Sequence, residues 1–287
     1  MIQNNKVFVT AFRDSLIDLK YLESVRLLEL ECVLSEIKIE KPGRNIILEI
    51  GAGSGWQSQK LSENGHSVEA IDIDNSSYSK VRIWPVTNYD GKHIPFPDDH
   101  FDIVFTSNVL EHVPHVIAFQ HEIKRVLKSD GISLNIMPSG SWRFWTNVAH
   151  YAFIIKTIKN IIIKQLAPST SENSCNEAEN VVKTNQLSKT QHLRRLAHLF
   201  RGMALAHRHG EIGTVLTELY YFSRYRWVNM FTITDWKIEK RFTNRLFYTG
   251  YGIFGSALSL KLRRHLSYIL GSSCHIFVLR KGVMNTV

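Results

Sequence analysis

Three glycines at alternate positions, Gly51, Gly53 and Gly55, follow Glu49 in the run I-I-L-E-I-G-A-G-S-G-W from Ile46 to Trp56. Glycine reaches positive φ at little cost and lets a ligand lie against bare backbone. Ile46–Ile50 reads as a buried strand and Gln57–Asn64 as a helix, so the turn sits at a helix N-terminus. Unpaired amides there form a nucleotide-type cradle of the doubly wound α/β class. A second apolar run, S-V-E-A-I-D-I from Ser67 to Ile73, carries Asp72 near its end. An acid in that place accepts hydrogen bonds from both hydroxyls of a ribose. Dinucleotide enzymes need G-x-G-x-x-G, with a third glycine for close helix–strand packing. Counted from Gly51, that position is Trp56, which argues against a dinucleotide.

A second group lies far along the chain. His207-Arg208-His209-Gly210-Glu211 places two imidazoles and a carboxylate around a glycine-containing turn. His207, His209 and Glu211 are therefore candidate catalytic residues, as a general base or an anion clamp. The alternative is a polar loop that caps the following helix through Glu211. No metal-ligand spacing supports a metal here, and none is expected.

The elements that must position these groups alternate. Leu16, Leu19, Leu22, Val25, Leu28, Leu30 and Val33 recur at helical spacing within residues 10–37, which predicts one or two amphipathic helices covering a sheet edge or a pocket. Phe101–Thr106 is an apolar strand, Val116–Leu127 a helix, Gly131 a break and Ile132–Met137 another strand closed by Pro138. Strands alternating with helices at this spacing predict a parallel sheet. Beyond Pro138 the alternation stops. Residues 167–191 are polar and read as a loop or poorly ordered segment, and Gln191–Ala206 returns to helix. Order resumes with a helix at Tyr225–Phe231, a strand at Trp236–Phe242, a basic helix at Gly255–Tyr268 and a strand at His275–Arg280. This divides the chain into N-terminal helices (1–43), a cofactor-binding core (44–140), a basic insertion (141–224) and the C-terminal part of the sheet (225–287).

Composition bounds the partners. Residues 1–140 carry 14 Lys and Arg against 19 Asp and Glu, whereas residues 141–287 carry 21 against 7. A basic half suits an anionic partner such as phosphate, nucleic acid or a membrane surface, or else solvated lysine faces. Cys32, Cys175 and Cys274 are few, odd in number and far apart, which fits a reduced cytoplasmic setting. Val7–Phe12 is too short for a secretory leader and is soon followed by Arg13 and Asp14. The longest uncharged stretch, Phe144–Ile155, falls short of the roughly 20 residues a membrane span needs. Residues 142–166 set Ile154, Ile155, Ile158, Ile161, Ile162 and Leu166 mainly opposite Lys156, Lys159, Asn160 and Lys164. That pattern predicts a lid over the site, or peripheral contact with the inner face of a membrane.

The pattern E-x-G-x-G-x-G resembles motif I of the class I S-adenosylmethionine (SAM) methyltransferases. Tyr89–His112, Y-D-G-K-H-I-P-F-P-D-D-H-F-D-I-V-F-T-S-N-V-L-E-H, resembles the signature of the type 11 methyltransferase family, whose relatives include ubiquinone and menaquinone methyltransferases. The resemblance covers about residues 44–139. It implies a Rossmann-like, doubly wound, mostly parallel seven-stranded sheet with helices on both faces and a helical insertion late in the sheet, and SAM as cofactor. It also implies roles: Glu49 supporting the turn near the cofactor's amino group, Gly51, Ala52, Gly53 and Gly55 bringing backbone to its methionine end, and Asp72 on the ribose. Ile73 would flank the adenine, Asp90 would accept from its N6 with Gly91 alongside, and Asn108 would lie near the carboxypropyl part. Leu110, Glu111 and His112 are read as capping and packing residues, and Phe101-Asp102 as shaping the strand start.

The segments H-G-E, T-E-L-Y-Y-F from Thr217 and F-Y-T-G from Phe247 resemble methyltransferases encoded with bacterial polysaccharide-assembly genes. That implies methylation of a saccharide oxygen on a glycan or lipid-linked precursor. The alternatives are a quinone-like lipid or RNA acceptor, or a SAM-binding protein without catalysis. No RNA-binding module is legible, so nucleic acid is not the expected partner.

Overall fold

A computed structural model describes residues 19–166, 206–250 and 254–282. The helix α1 (Leu19–Glu40) leads to β1 (Ile46–Ile50), α2 (Trp56–Glu63), β2 (Ser67–Ile73), β3 (Thr87–Tyr89) and β4 (Phe101–Ser107). Then come α3 (Val116–Val126), β5 (Leu127–Pro138), α4 (Gly140–Leu166), α5 (Glu218–Tyr221), α6 (Arg224–Ile233), β6 (Trp236–Thr243), α7 (Leu260–Leu270) and β7 (Cys274–Lys281).

The seven strands form one sheet in the order β3-β2-β1-β4-β5-β7-β6. Neighbours from β3 to β5 run parallel, while β7 is antiparallel to both β5 and β6. The sheet is mixed, with its parallel part holding the glycine turn. Central parallel strands are covered on both faces and read as continuous apolar runs, and Ile47, Leu48 and Ile50 of β1 are fully buried accordingly. Register sets where chemistry can gather. Ile50 pairs with Ile71 on one side and with Thr106 on the other, so β1 stops two residues before the end of β2 and one before the end of β4. Chain order reverses between β2-β1 and β4-β5, which is the switch point where ligands bind in open α/β sheets.

α1 presents Val25, Leu30, Val33 and Ile37 to the core, with Glu29 buried in the same stripe. Its polar side ties to the far edge of the sheet through Lys240 to Glu36 (3.1 Å) and Arg280 to Glu40 (3.0 Å). α4 starts where Ser139 Oγ accepts from Trp142 N (3.0 Å), a side-chain cap on the first turn. Trp142, Arg143, Thr146 and His150 of α4 are buried, whereas Phe144, Val148, Tyr151 and Ile155 are exposed. Among the described residues no helix is long and apolar enough to cross a membrane.

Three expectations shift. β3 carries no apolar alternation and escaped the sequence reading, yet Thr87–Tyr89 pairs parallel to Ile71–Ile73. β5 begins at Leu127, before Gly131, because the chain enters the sheet through a register irregularity opposite Phe101–Ile103. Gly255–Tyr268 is not one helix: a single 3-10 turn precedes α7, which Ser259 caps by accepting from Leu262 N (3.3 Å). The loop expected at 167–191 with Cys175, and most of the helix expected at 191–206, lie outside the described residues.

The segment between β5 and β6 is held down by a buried ion pair. Arg143 Nε lies 2.7 Å from Glu218 Oε2, with the two side chains 2% and 0% exposed. Removing one partner of such a pair leaves a buried charge and costs roughly 3–5 kcal/mol. Glu218→Ala should lower the urea unfolding free energy by about that amount, and a change below about 1 kcal/mol would show that α4 and α5 are docked by other contacts.

Candidate functional site

A cavity of about 1680 Å³ opens at the carboxyl ends of β1, β2 and β4. A pocket for one small ligand usually falls within about 300–1,000 Å³, so two molecules can share this one. At one end the backbone of residues 51–53 forms the wall. Gly51, Gly53 and Gly55 hold φ of 72°, 58° and 78°, and a Cβ on Gly51 would collide with the Val109 side chain. Asp72, 8% exposed, accepts from Gly53 N (3.0 Å) and Ile73 N (2.8 Å). Its carboxylate thereby ties the glycine turn to the end of β2 while facing the cavity.

The remaining expected cofactor residues divide. Ala52, Ile73, Asp90, Gly91 and Asn108 line the same cavity. Asp90 Oδ1 accepts from the amides of Lys92 and His93, both at 2.8 Å, and those two amides hold its carboxyl down at about 2. Asn108 takes φ 54° at the end of β4, with its amide bonded to Ile136 O (2.8 Å). Glu49 and Gly55 are not on the cavity wall. Gly55 donates to Ala52 O (2.8 Å) within the turn. Glu49 lies beneath the turn and accepts from Ser58 Oγ. Burial pushes its carboxyl up to about 7, against the pull of that hydrogen bond and with the Asp72 charge adding to the rise. Of its expected roles, supporting the turn is the one this position serves.

The other end is built by elements distant in sequence. His112 stands in a 3-10 turn after β4, and His209 comes from the segment before α5; their ring centroids are 4.9 Å apart. Trp142 of α4 packs edge-on against His209 at 4.7 Å. The packing role expected of Leu110 is seen, but His112 lines the cavity instead. Burial holds its imidazole below the ordinary value, against the pull of the Glu211 charge. Glu211 lines the cavity too, whereas His207 does not; the His207 carbonyl accepts from Arg143 Nη2 (2.7 Å). No side chain among the described residues caps the short helix α5, the alternative role of Glu211. Its first residue, Glu218, instead holds the loop, with Oε1 accepting from His209 N and Gly210 N, both at 2.7 Å. Glu211 N bonds to Glu111 O (3.0 Å), and a Cβ on Gly210 would stand 3.0 Å from that same carbonyl. A side chain there would press on that carbonyl, so glycine eases the close approach of the loop.

Several wall residues escaped the sequence reading. Arg26, Tyr248 and Cys274 line the cavity and converge on Glu29. Arg26 lies 2.8 Å from its Oε2, while Tyr248 Oη and Asn244 Nδ2 donate to Oε1 at 3.0 and 2.9 Å. Tyr248 lay in a singled-out motif, but nothing linked it to α1 more than 200 residues earlier. Glu111, His112 and His209 hold ligand atoms within 4.8 Å of one another, a grouping that could bind a metal ion. The two limbs are far apart in the chain, so no spacing could reveal it. Burial pushes the Glu111 carboxyl up to about 8, with its own backbone amide and the Arg26 charge pulling it down.

Residues 48–134 match the family model described as a methyltransferase domain. Among curated relatives, a demethylmenaquinone methyltransferase of Tropheryma whipplei is 31% identical over 94 residues, 30% of this chain and 38% of that protein. A ubiquinone/menaquinone biosynthesis C-methyltransferase of Cupriavidus pinatubonensis is 26% identical over 114 residues, 36% of this chain and 46% of that protein. The chain spans less than half the length of these relatives. Among solved structures, an S-adenosylmethionine-dependent methyltransferase from Mesorhizobium loti aligns over 86% of this chain and 96% of its own, at 14% identity and a TM-score of 0.46.

The position of Glu49 carries a pH signature. Its folded value, about 7, lies above the ordinary 4.5, so the folded state holds the proton more tightly. The associated stability is fully present below about pH 4.5 and is lost as pH rises through about 7. At about 1.4 kcal/mol per unit, the loss is of order 3 kcal/mol. Glu49→Gln should remove this slope in denaturation curves taken between pH 4.5 and 7.5, and an unchanged slope would show that Glu49 ionises freely in the fold.

Proposed function

We propose that this chain transfers the methyl group of SAM to a hydroxyl oxygen of a saccharide-type acceptor, free or carried on a lipid. The observation that carries the reading is one cavity with two unlike ends. The end formed by residues 51–53 and Asp72 suits a nucleoside and falls within the matched methyltransferase domain. The end formed by Arg26, His112, His209 and Glu211 presents hydrogen-bonding groups to an acceptor.

When bound, the cofactor supplies an electrophilic methyl group whose bonding electrons to sulfur stay with sulfur. The chain's own part is positioning, exclusion of water and removal of a proton. Positioning falls to the bare backbone at Gly51–Gly53 and to the Asp72 carboxylate, both tied to the ends of parallel strands. Buried Trp142, packed against the His209 ring, closes one side of the acceptor end. The hydroxyl proton passes to the imidazole wall, where burial holds His112 below its ordinary value.

The second reading, methylation of a quinone-like lipid, is favoured by the names of the curated relatives. The family match ends at residue 134, so it takes in His112 but not Trp142, His209, Glu211 or Tyr248 of the acceptor wall. That wall offers ionic and hydrogen-bonding partners suited to a polyhydroxylated molecule, which favours the saccharide. Any contact of α4 with a membrane would rest on exposed Phe144, Val148, Tyr151 and Ile155 and would bring the site to a lipid-linked acceptor.

Two variants separate donor from acceptor. Asp72→Ala should weaken S-adenosylhomocysteine binding in calorimetry by about 1–3 kcal/mol through lost hydrogen bonds. Unchanged affinity would remove Asp72 from the ribose. His209→Ala should lower transfer of labelled methyl from SAM by on the order of 100-fold, the scale of acid–base catalysis, with S-adenosylhomocysteine affinity intact. Undiminished transfer would return His209 to a packing role.

A further inference from the structure

We propose that Glu111, His112 and His209 form a binding site for a divalent cation of the zinc class on the acceptor wall of the cavity.

The starting point is an uncompensated carboxylate. Among the described residues four glutamates are buried: Glu29, Glu49, Glu111 and Glu218. Glu29 is met by Arg26, Asn244 and Tyr248, Glu49 by Ser58, and Glu218 by Arg143 and two backbone amides. Glu111 differs: its side chain is 0% exposed and neither carboxylate oxygen has a hydrogen-bond partner. Buried polar atoms are nearly always paired, and each exception calls for a physical reason.

The surroundings supply one. Glu111 Oε1 lies 3.9 Å from His112 Nε2 and 4.0 Å from His209 Nε2. These gaps are too long for hydrogen bonds. A cation holding each ligand at about 2.0–2.2 Å would need the three atoms roughly 3–4 Å apart, against at most 4.8 Å here. The two half-exposed imidazoles need to close by only about an ångström. The donor set, two imidazoles and a carboxylate, is one that zinc accepts, and three protein ligands facing a cavity leave positions open for water or substrate.

The backbone around these ligands is fixed in advance. Glu211 N bonds to the carbonyl of Glu111 itself, joining the two limbs of the site. Glu218 holds the amides of His209 and Gly210, and Arg143 anchors Glu218. Trp142 and Phe222 flank the His209 ring, with centroids at 4.7 and 6.0 Å.

The cation's role rests on the methyl-transfer reading, although its binding does not. A hydroxyl bound to the cation is more acidic than in water. Its oxygen would bond to the methyl carbon, and sulfur would keep the electron pair of the breaking bond. The proton would go to the Glu211 carboxylate on the same cavity in place of the imidazoles, which would then be occupied as ligands. The imidazoles then act through the cation.

The test uses the full chain stripped of metal by a chelator, then titrated with cobalt(II) under visible absorption and with zinc in competition. One equivalent should bind with a ligand-field band of nitrogen and oxygen ligation, and zinc should displace it. His209→Ala and Glu111→Gln should each weaken binding at least tenfold. Glu111→Gln without metal should melt no lower than the unsubstituted chain, since an unpaired carboxylate is lost, and zinc should raise the melting temperature of the unsubstituted chain alone. Absence of stoichiometric cobalt binding, with ordered water satisfying Glu111, would overturn the proposal, as would equal affinity in both variants. S-adenosylhomocysteine affinity measured in the same samples keeps the two readings apart: its absence beside cobalt binding counts against methyl transfer alone, and its presence without cobalt binding counts against the metal site alone.

Discussion

The contact on which the rest depends is the carboxylate of Asp72 accepting from the amide of Gly53. It joins the end of β2 to the turn that leaves β1, and it can form only because parallel register brings those two ends near each other. The same register brings the end of β4 near on the other side of β1, which delivers Asn108 and the turn at 110–112 to the cavity. Gly51 takes left-handed backbone geometry against Val109, the residue that follows Asn108. The chemistry of the site thus follows from where three strands stop.

Much of this was legible in the sequence, because the signals were local. An apolar run, three glycines and an acid near the end of the next strand all fall within residues 46–73. The expected bounds of β2 agree with those observed. Legibility failed where structure rests on pairing across distance. β3 has no apolar pattern of its own and exists because β2 offers an open edge. Glu49 was expected to support the turn near the cofactor, but its buried donor, Ser58 Oγ of α2, was not legible from the strand that carries it.

The acceptor end shows the limit more sharply. His209 was singled out by composition and reaches the cavity, whereas its neighbour His207 does not, since the Arg143–Glu218 pair fixes which residues of that loop turn inward. Arg26, Tyr248 and Cys274 meet only through the buried Glu29 of α1. Buried glutamates organise this end: among the described residues Glu29 and Glu218 are matched by donors supplied by the fold, whereas Glu111 faces two imidazoles across gaps that no hydrogen bond spans.

The most direct test of the central claim follows the methyl carbon itself. The purified chain is incubated with SAM carrying a carbon-13 methyl group and a saccharide fraction bearing free hydroxyls, and the label is followed by nuclear magnetic resonance. The two-ended cavity predicts that the sulfonium methyl signal decays while a methoxy signal grows on the saccharide. A label that stays on sulfur with every fraction, or that appears on a ring carbon of a quinone, would contradict it.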